Sequence, residues 1–152
     1  MFHGEYSHAV DAKGRTAVPS TFRRDLAGGA VISIGAEGRL VIWPTDAWND
    51  HLRSLPITGG TPEEQRRYLR PLNAYTRDVE LDAQGRMLLH PSHRQFAGIE
   101  ERVTFVGMGQ YVELCSTERW EEDVRELTPE FFTELTDRIN PMGFIARPPT
   151  PS

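Results

Sequence analysis

The 152-residue sequence has one cysteine, one lysine and no long apolar run. A single thiol, Cys115, excludes an internal disulfide. No stretch approaches the roughly 18 apolar residues of a membrane helix. The start, MFHGEYSHAV, lacks a basic region followed by an apolar core, so no signal peptide is expected. Cytoplasmic residence is the expectation that fits these absences. No glycine-rich phosphate loop follows a strand at the required spacing. His90 and His93 lie three apart, but no Cys or carboxylate cluster completes a metal site, so no metal or other cofactor is expected. No nucleophile and base stand in a recognisable arrangement, which argues against an enzyme and against a small-molecule substrate.

The formal charge of -5 is unevenly spread. Residues 1–100 carry 12 Lys+Arg against 12 Asp+Glu, whereas residues 101–152 carry 5 against 10. The acidity therefore belongs to the C-terminal third, and a local positive face remains open to nucleic acid. Sixteen of the seventeen basic residues are arginine, whose planar fork suits phosphate and guanine. A GC-rich genome gives the same bias.

A module occurs twice. Asp11-Ala12-Lys13-Gly14-Arg15 returns as Asp82-Ala83-Gln84-Gly85-Arg86, 71 positions later. At the same offset Val10 meets Leu81, Arg23 meets Arg94, and Val41 meets Val112. With one residue of slip, VISIG (31–35) meets VTFVG (103–107) and Trp48 meets Trp120. Such a period is too long for a solenoid unit. It predicts two duplicated modules packed about a pseudo-two-fold axis.

GEYSHAV (4–10) and RTAVP (15–19) read as strands flanking a turn. Asp first and left-handed Gly fourth favour a hairpin there, and residues 76–89 repeat the signal. AVISI (30–34) and RLVIW (39–43) flank a Gly turn, as do RVTFV (102–106) and QYVELC (110–115). A short helix over 19–27 should bury Phe22 and Leu26 and stop at Gly28-Gly29. Thr61-Pro62-Glu63-Glu64 predicts a capped helix that Pro71 should end. Thr128-Pro129 repeats the start device. Thr45 and Thr117 read as caps of helices that present Trp48 and Trp120 to a core. Cys115 reads as a buried, inert thiol, and the Pro-rich tail as an extended or disordered end. The expected organisation is a first repeat over 1–60, a linking helix over 61–75, a second repeat over 76–127, and a C-terminal helix and tail over 128–152.

Taken singly, a DAxGR turn is a hairpin device and nothing more. Its duplication with the arginine kept points to a role for Arg15 and Arg86. An Asp four residues earlier pairs with the guanidinium and aims it at phosphates or base edges. Lys13 adds charge to the first turn. Arg23 and Arg94 match across the repeats and read either as DNA contacts or as a solvated helix face.

Met1-Phe2, Gly4-Glu5-Tyr6, VDAKGRTAVPSTFR (10–23) and VELDAQGRMLLHPSHRQFAG (79–98) resemble the MraZ family of bacterial transcriptional regulators. The resemblance extends over residues 1–127. It implies an α+β, mainly β fold: two tandem AbrB-like swapped-hairpin units packed as a pseudo-two-fold pair, with short helices outside. It also implies a homo-oligomeric ring associated with the nucleoid. Asp11, Arg15, Asp82 and Arg86 would then lie on the face that binds double-stranded DNA, at short direct repeats in the protein's own promoter within the division and cell-wall cluster. His90 stands where the family usually has the proline matching Pro19. A single copy of the module would indicate only the wider AbrB-like group, so an antitoxin or global regulator is the alternative. A protein-binding scaffold ring is another.

Overall fold

A computed structural model describes residues 1–141; the proline-rich tail lies outside the described residues. Two compact units divide at Thr117/Glu118. The first unit, Met1–Thr117, holds eight strands: β1 Glu5–Ala9, β2 Arg15–Ala17, β3 Ala30–Ile34, β4 Leu40–Pro44, β5 Arg77–Asp78, β6 Arg86–Leu88, β7 Arg102–Gly107 and β8 Val112–Ser116. Four helices lie within it: α1 Ser20–Leu26, α2 Thr45–Arg53, α3 Pro62–Ala74 and α4 Pro91–Ala97. α5, Thr117–Glu126, begins at its last residue, and α6, Pro129–Ile139, belongs to the second unit. Among the described residues no helix is long and apolar enough to cross a membrane.

Six strands form an antiparallel sheet in the order β1-β7-β8-β4-β3-β5, and β2 and β6 form a separate ribbon. Four of the six strand pairings join one repeat to the other: β1 with β7, β2 with β6, β3 with β5, and β4 with β8. Only β3–β4 and β7–β8 are hairpins within a repeat. The order is the same read from either end when repeats are exchanged. Its centre lies between β4 and β8, where Val41 faces Glu113 and Ile42 faces Val112. The ribbon obeys the same relation, since Thr16 faces Met87, its own counterpart. Val18 N donates to Gly85 O at 3.0 Å, and Leu89 N donates to Gly14 O at 2.8 Å. These are one bond written twice, 71 residues apart. The α+β fold of two tandem units and its pseudo-two-fold relation are thus as expected.

The expected hairpins across the DAxGR turns are absent as ladders. The turns form, but each is flanked by a single bridge, Val10 to Thr16 and Leu81 to Met87. Beyond it the strands diverge to partners in the other repeat. Asp and Gly specify a reversal over four residues; they do not specify which apolar strand the next three residues meet.

Both faces of β3 and β4 are covered, which explains their near-continuous apolar runs. Ile32, Leu40, Ile42, Val103, Phe105, Val112 and Leu114 enter the main core with Phe22, Leu26, Met87 and Leu89. Phe2 and Tyr6 meet the Phe22 ring edge-on at 5.5 and 5.2 Å and pin α1 to the sheet. Burial of each large apolar side chain contributes about 1.5–3 kcal/mol. On the opposite face Val31, Val41, Trp43 and Trp48 form a smaller cluster beside Leu72 and Tyr111.

Several helix signals hold. Thr61 and Glu64 form a capping box, with amide-to-side-chain bonds of 3.1 and 3.0 Å. Thr128 Oγ1 accepts from Phe131 N at 3.1 Å. Phe22 and Leu26 are buried on α1. His90 caps α4 through Nδ1, which accepts from Ser92 N at 3.2 Å. Pro71 does not end α3, which runs on to Ala74. Only three helical residues follow Pro71, Tyr75 N still donates to its carbonyl at 2.9 Å, and Asn73 Nδ2 donates to Leu69 O at 2.8 Å. Pro71 removes a single backbone donor, and the helix runs less than one turn beyond it. Thr45 and Thr117 are not caps. β4 runs directly into α2, Pro44 takes the cap position, and Thr45 N donates to Gly29 O at 3.1 Å. Thr117 opens α5 and pairs its hydroxyl with that of Thr104 at 3.0 Å. Trp48 is buried as expected, whereas Trp120 is half-buried and Val124 and Leu127 are exposed. Cys115 is a buried thiol whose Sγ accepts from Arg39 Nη1 at 3.7 Å.

Candidate nucleic-acid interface

Each DAxGR turn is closed by the same set of bonds. Gly14 N donates to Asp11 O at 2.9 Å, and Gly85 N donates to Asp82 O at 3.0 Å. Both glycines have positive φ, +85° and +76°, a conformation that disfavours any Cβ. Asp11 Oδ1 accepts the amides of Lys13 and Arg15, each at 2.9 Å. Its Oδ2 accepts Arg15 Nε at 2.9 Å. Asp82 does the same: Oδ1 takes the amides of Gln84 and Arg86 at 2.9 Å, and Oδ2 takes Arg86 Nε at 2.8 Å. One carboxylate thus shapes the turn with one oxygen and aims the arginine with the other. Nε is the atom used, so among the described residues the terminal nitrogens of Arg15 stay available to a ligand.

The bonded amides explain the electrostatics. The Arg15 backbone amide, more than the Arg15 guanidinium, holds the Asp11 carboxyl below the usual aspartate range, and the Arg86 amide does so for Asp82. Both carboxylates are therefore charged at neutral pH.

The ribbon brings the two turns together. Arg86 Nη1 lies 4.0 Å from Asp11 Oδ2, so both motif arginines converge on one carboxylate. The reverse contact, Arg15 to Asp82, is absent among the described residues. Side-chain exposure is 35% for Arg15 and 33% for Arg86. Lys13 is exposed in the first turn. Gln84, at its place in the second, accepts Arg86 Nη2 on Oε1 at 3.5 Å. Arg23 and Arg94 reach the same place from α1 and α4. Arg23 Nη1 donates to Gln84 O at 3.5 Å, and Arg94 Nη2 donates to Glu100 O at 2.7 Å. The five cations thereby gather about the two aspartates, with Glu100 and Glu101 beside Asp11 and Arg94 in a shallow cleft. All seven residues singled out from the sequence are near one another. The contact of Arg86 with Asp11 had no sequence signal, because it depends on the register of β2 against β6. A cavity of about 680 Å³ beside Trp43, Trp48, His51 and Tyr111 contains none of them.

The repeat seen in the fold is also the repeat of a known family. The MraZ protein family model matches residues 1–70 and again residues 72–140. The chain belongs to the MraZ family. A protein named transcriptional regulator MraZ from Lachnoclostridium phytofermentans is 36% identical over 143 residues, covering 94% of this chain and 98% of that protein. The MraZ regulator of Herpetosiphon aurantiacus is 40% identical over 124 residues, 80% of this chain and 85% of its own. That of Moorella thermoacetica is 37% identical over 134 residues, 86% and 92% respectively. These MraZ relatives are thus similar over nearly their whole length.

Proposed function

We propose that this chain is a DNA-binding transcriptional regulator whose two DAxGR turns act together as one contact site. The observation that carries the reading is the convergence of Arg15 and Arg86, each aimed through Nε by its own aspartate. Two guanidinium groups fixed side by side suit adjacent phosphates or base edges in a groove. Arg15 and Arg86 make the contacts, Asp11 and Asp82 orient them, and Lys13, Arg23 and Arg94 add positive charge around them. The names of the relatives support the regulatory role.

The target in this reading is double-stranded DNA upstream of the protein's own gene, read as short direct repeats, so that the protein regulates its own division and cell-wall cluster from the nucleoid. A homo-oligomeric ring supplies several such faces to successive repeats and raises the affinity of a site that is modest alone. The test is a titration of upstream DNA against an unrelated fragment at two salt concentrations. Preferential binding that weakens steeply with salt is expected, with a slope near -0.9 per phosphate contact. Arg15→Ala and Arg86→Ala proteins that stay folded yet bind like wild type would refute the site. No binding to either fragment at low salt would leave a protein-binding scaffold as the better reading.

A further inference from the structure

We infer that Arg23 and Arg94 are crosswise positioning residues: each is carried by one repeat and fixes the DAxGR turn of the other. This rests on the two turns being the DNA-contacting site. Arg23 stands on α1 of the first repeat, yet it meets the second turn. Its guanidinium lies so close to Gly85 that a Cβ there would stand 1.7 Å from Nη1 and 2.8 Å from Cζ. Its Nη1 also donates to the Gln84 carbonyl. Arg94 stands at the matching place on α4 and meets the first turn, where a Cβ on Gly14 would stand 3.4 Å from its Nη1. Both glycines are buried, and both arginines are half-buried.

The positive φ is therefore only one reason for glycine at these places. At Gly85 the other is room for the Arg23 guanidinium, whereas at Gly14 a Cβ would first meet the Leu89 carbonyl oxygen at 3.3 Å, with Arg94 Nη1 in ordinary contact. Arg94 uses Nε and Nη2 on the carbonyls of Ile99 and Glu100, at 3.3 and 2.7 Å, which ties it to its own repeat while Nη1 faces Gly14. A guanidinium engaged in this way is a brace. α1 thus holds the turn that carries Arg86, and α4 holds the turn that carries Arg15. The two DNA-contacting arginines keep a fixed relation because each turn is clamped by the other repeat.

The test pairs substitutions crosswise in the full chain. Arg23→Gln is expected to weaken binding to upstream DNA about ten-fold, and to keep that effect beside Arg15→Ala. Beside Arg86→Ala it should cost less than about two-fold, because contacting residues in one chain of interactions do not add. Titrations run at salt low enough for the Arg86→Ala protein to bind. Equal losses in both backgrounds, as a direct phosphate contact gives, or coupling to Arg15 in place of Arg86, would overturn the assignment. Hydrogen exchange of the free protein supplies a second reading without DNA. Arg23→Gln should speed exchange of the amides of Gln84, Gly85 and Arg86 and leave those of Lys13, Gly14 and Arg15 unchanged. If wild type binds no DNA, the proposed function falls, and exchange alone decides: an unchanged second turn overturns the brace, and a loosened one upholds it.

Discussion

Asp11 does two jobs with two oxygens, and its charge state links them. Its carboxyl is held below the usual aspartate range chiefly by the Arg15 amide, as Asp82 is by that of Arg86. A depressed folded pKa means stability that is present above the unfolded value, near about 3.9, and lost as pH falls through the folded one. The stability difference between wild type and an Asp11→Asn/Asp82→Asn double variant should therefore be widest at neutral pH. It should shrink as pH falls below about 4, as measured by denaturant midpoints across that range. The two aspartates are not equivalent in the site. Among the described residues, Asp11 faces both guanidinium groups, whereas Asp82 faces Arg86 alone. Asp11→Asn is expected to weaken DNA binding more than Asp82→Asn; the reverse order in a titration would count against the convergent site. The pairing of Asp with Arg at four residues' distance was legible in sequence because it is local. The meeting of Arg86 with Asp11 was not, because those residues are 75 positions apart.

At the scale of elements, the same residue type means different things according to what precedes it. Thr61 follows a loop and caps α3 with its hydroxyl. Thr45 follows β4 without a loop and leaves the cap position to Pro44. Thr61→Ala should cost about 1 kcal/mol of stability. Thr45→Ala should show no capping loss, and comparison of urea midpoints for the two variants checks this. The helix starts at Thr61 and Thr128 were readable because the amide-to-hydroxyl bond lies within one turn. Pro71 misled for the opposite reason. Its missing amide removes one bond to the preceding turn, and the helix continues for three residues beyond it. The burial of Trp48 against Trp43 and Leu72 followed from its apolar surroundings. Trp120, at the matching place in the second repeat, shows that a repeated pattern does not guarantee repeated burial.

In the whole molecule the repeats are not separable beads. Four of the six strand pairings cross between them. Residues 1–60 and 76–127 expressed apart should each lack a cooperative unfolding transition in circular dichroism, since each of their four strands loses a partner in the other repeat and a single hairpin is kept. A fragment that melts cooperatively on its own would contradict this interleaving. The sequence by itself determined that there are two modules, where their turns lie, and which side chains each turn aims, since turn chemistry acts over four or five residues. Its composition also determined that an apolar core would form. Only the tertiary structure decided that β2 pairs with β6, that Arg23 and Arg94 cross to the opposite turns, and that two arginines share one carboxylate. Strand choice depends on burial of apolar surface summed over many distant residues, and a local signal carries no record of that sum.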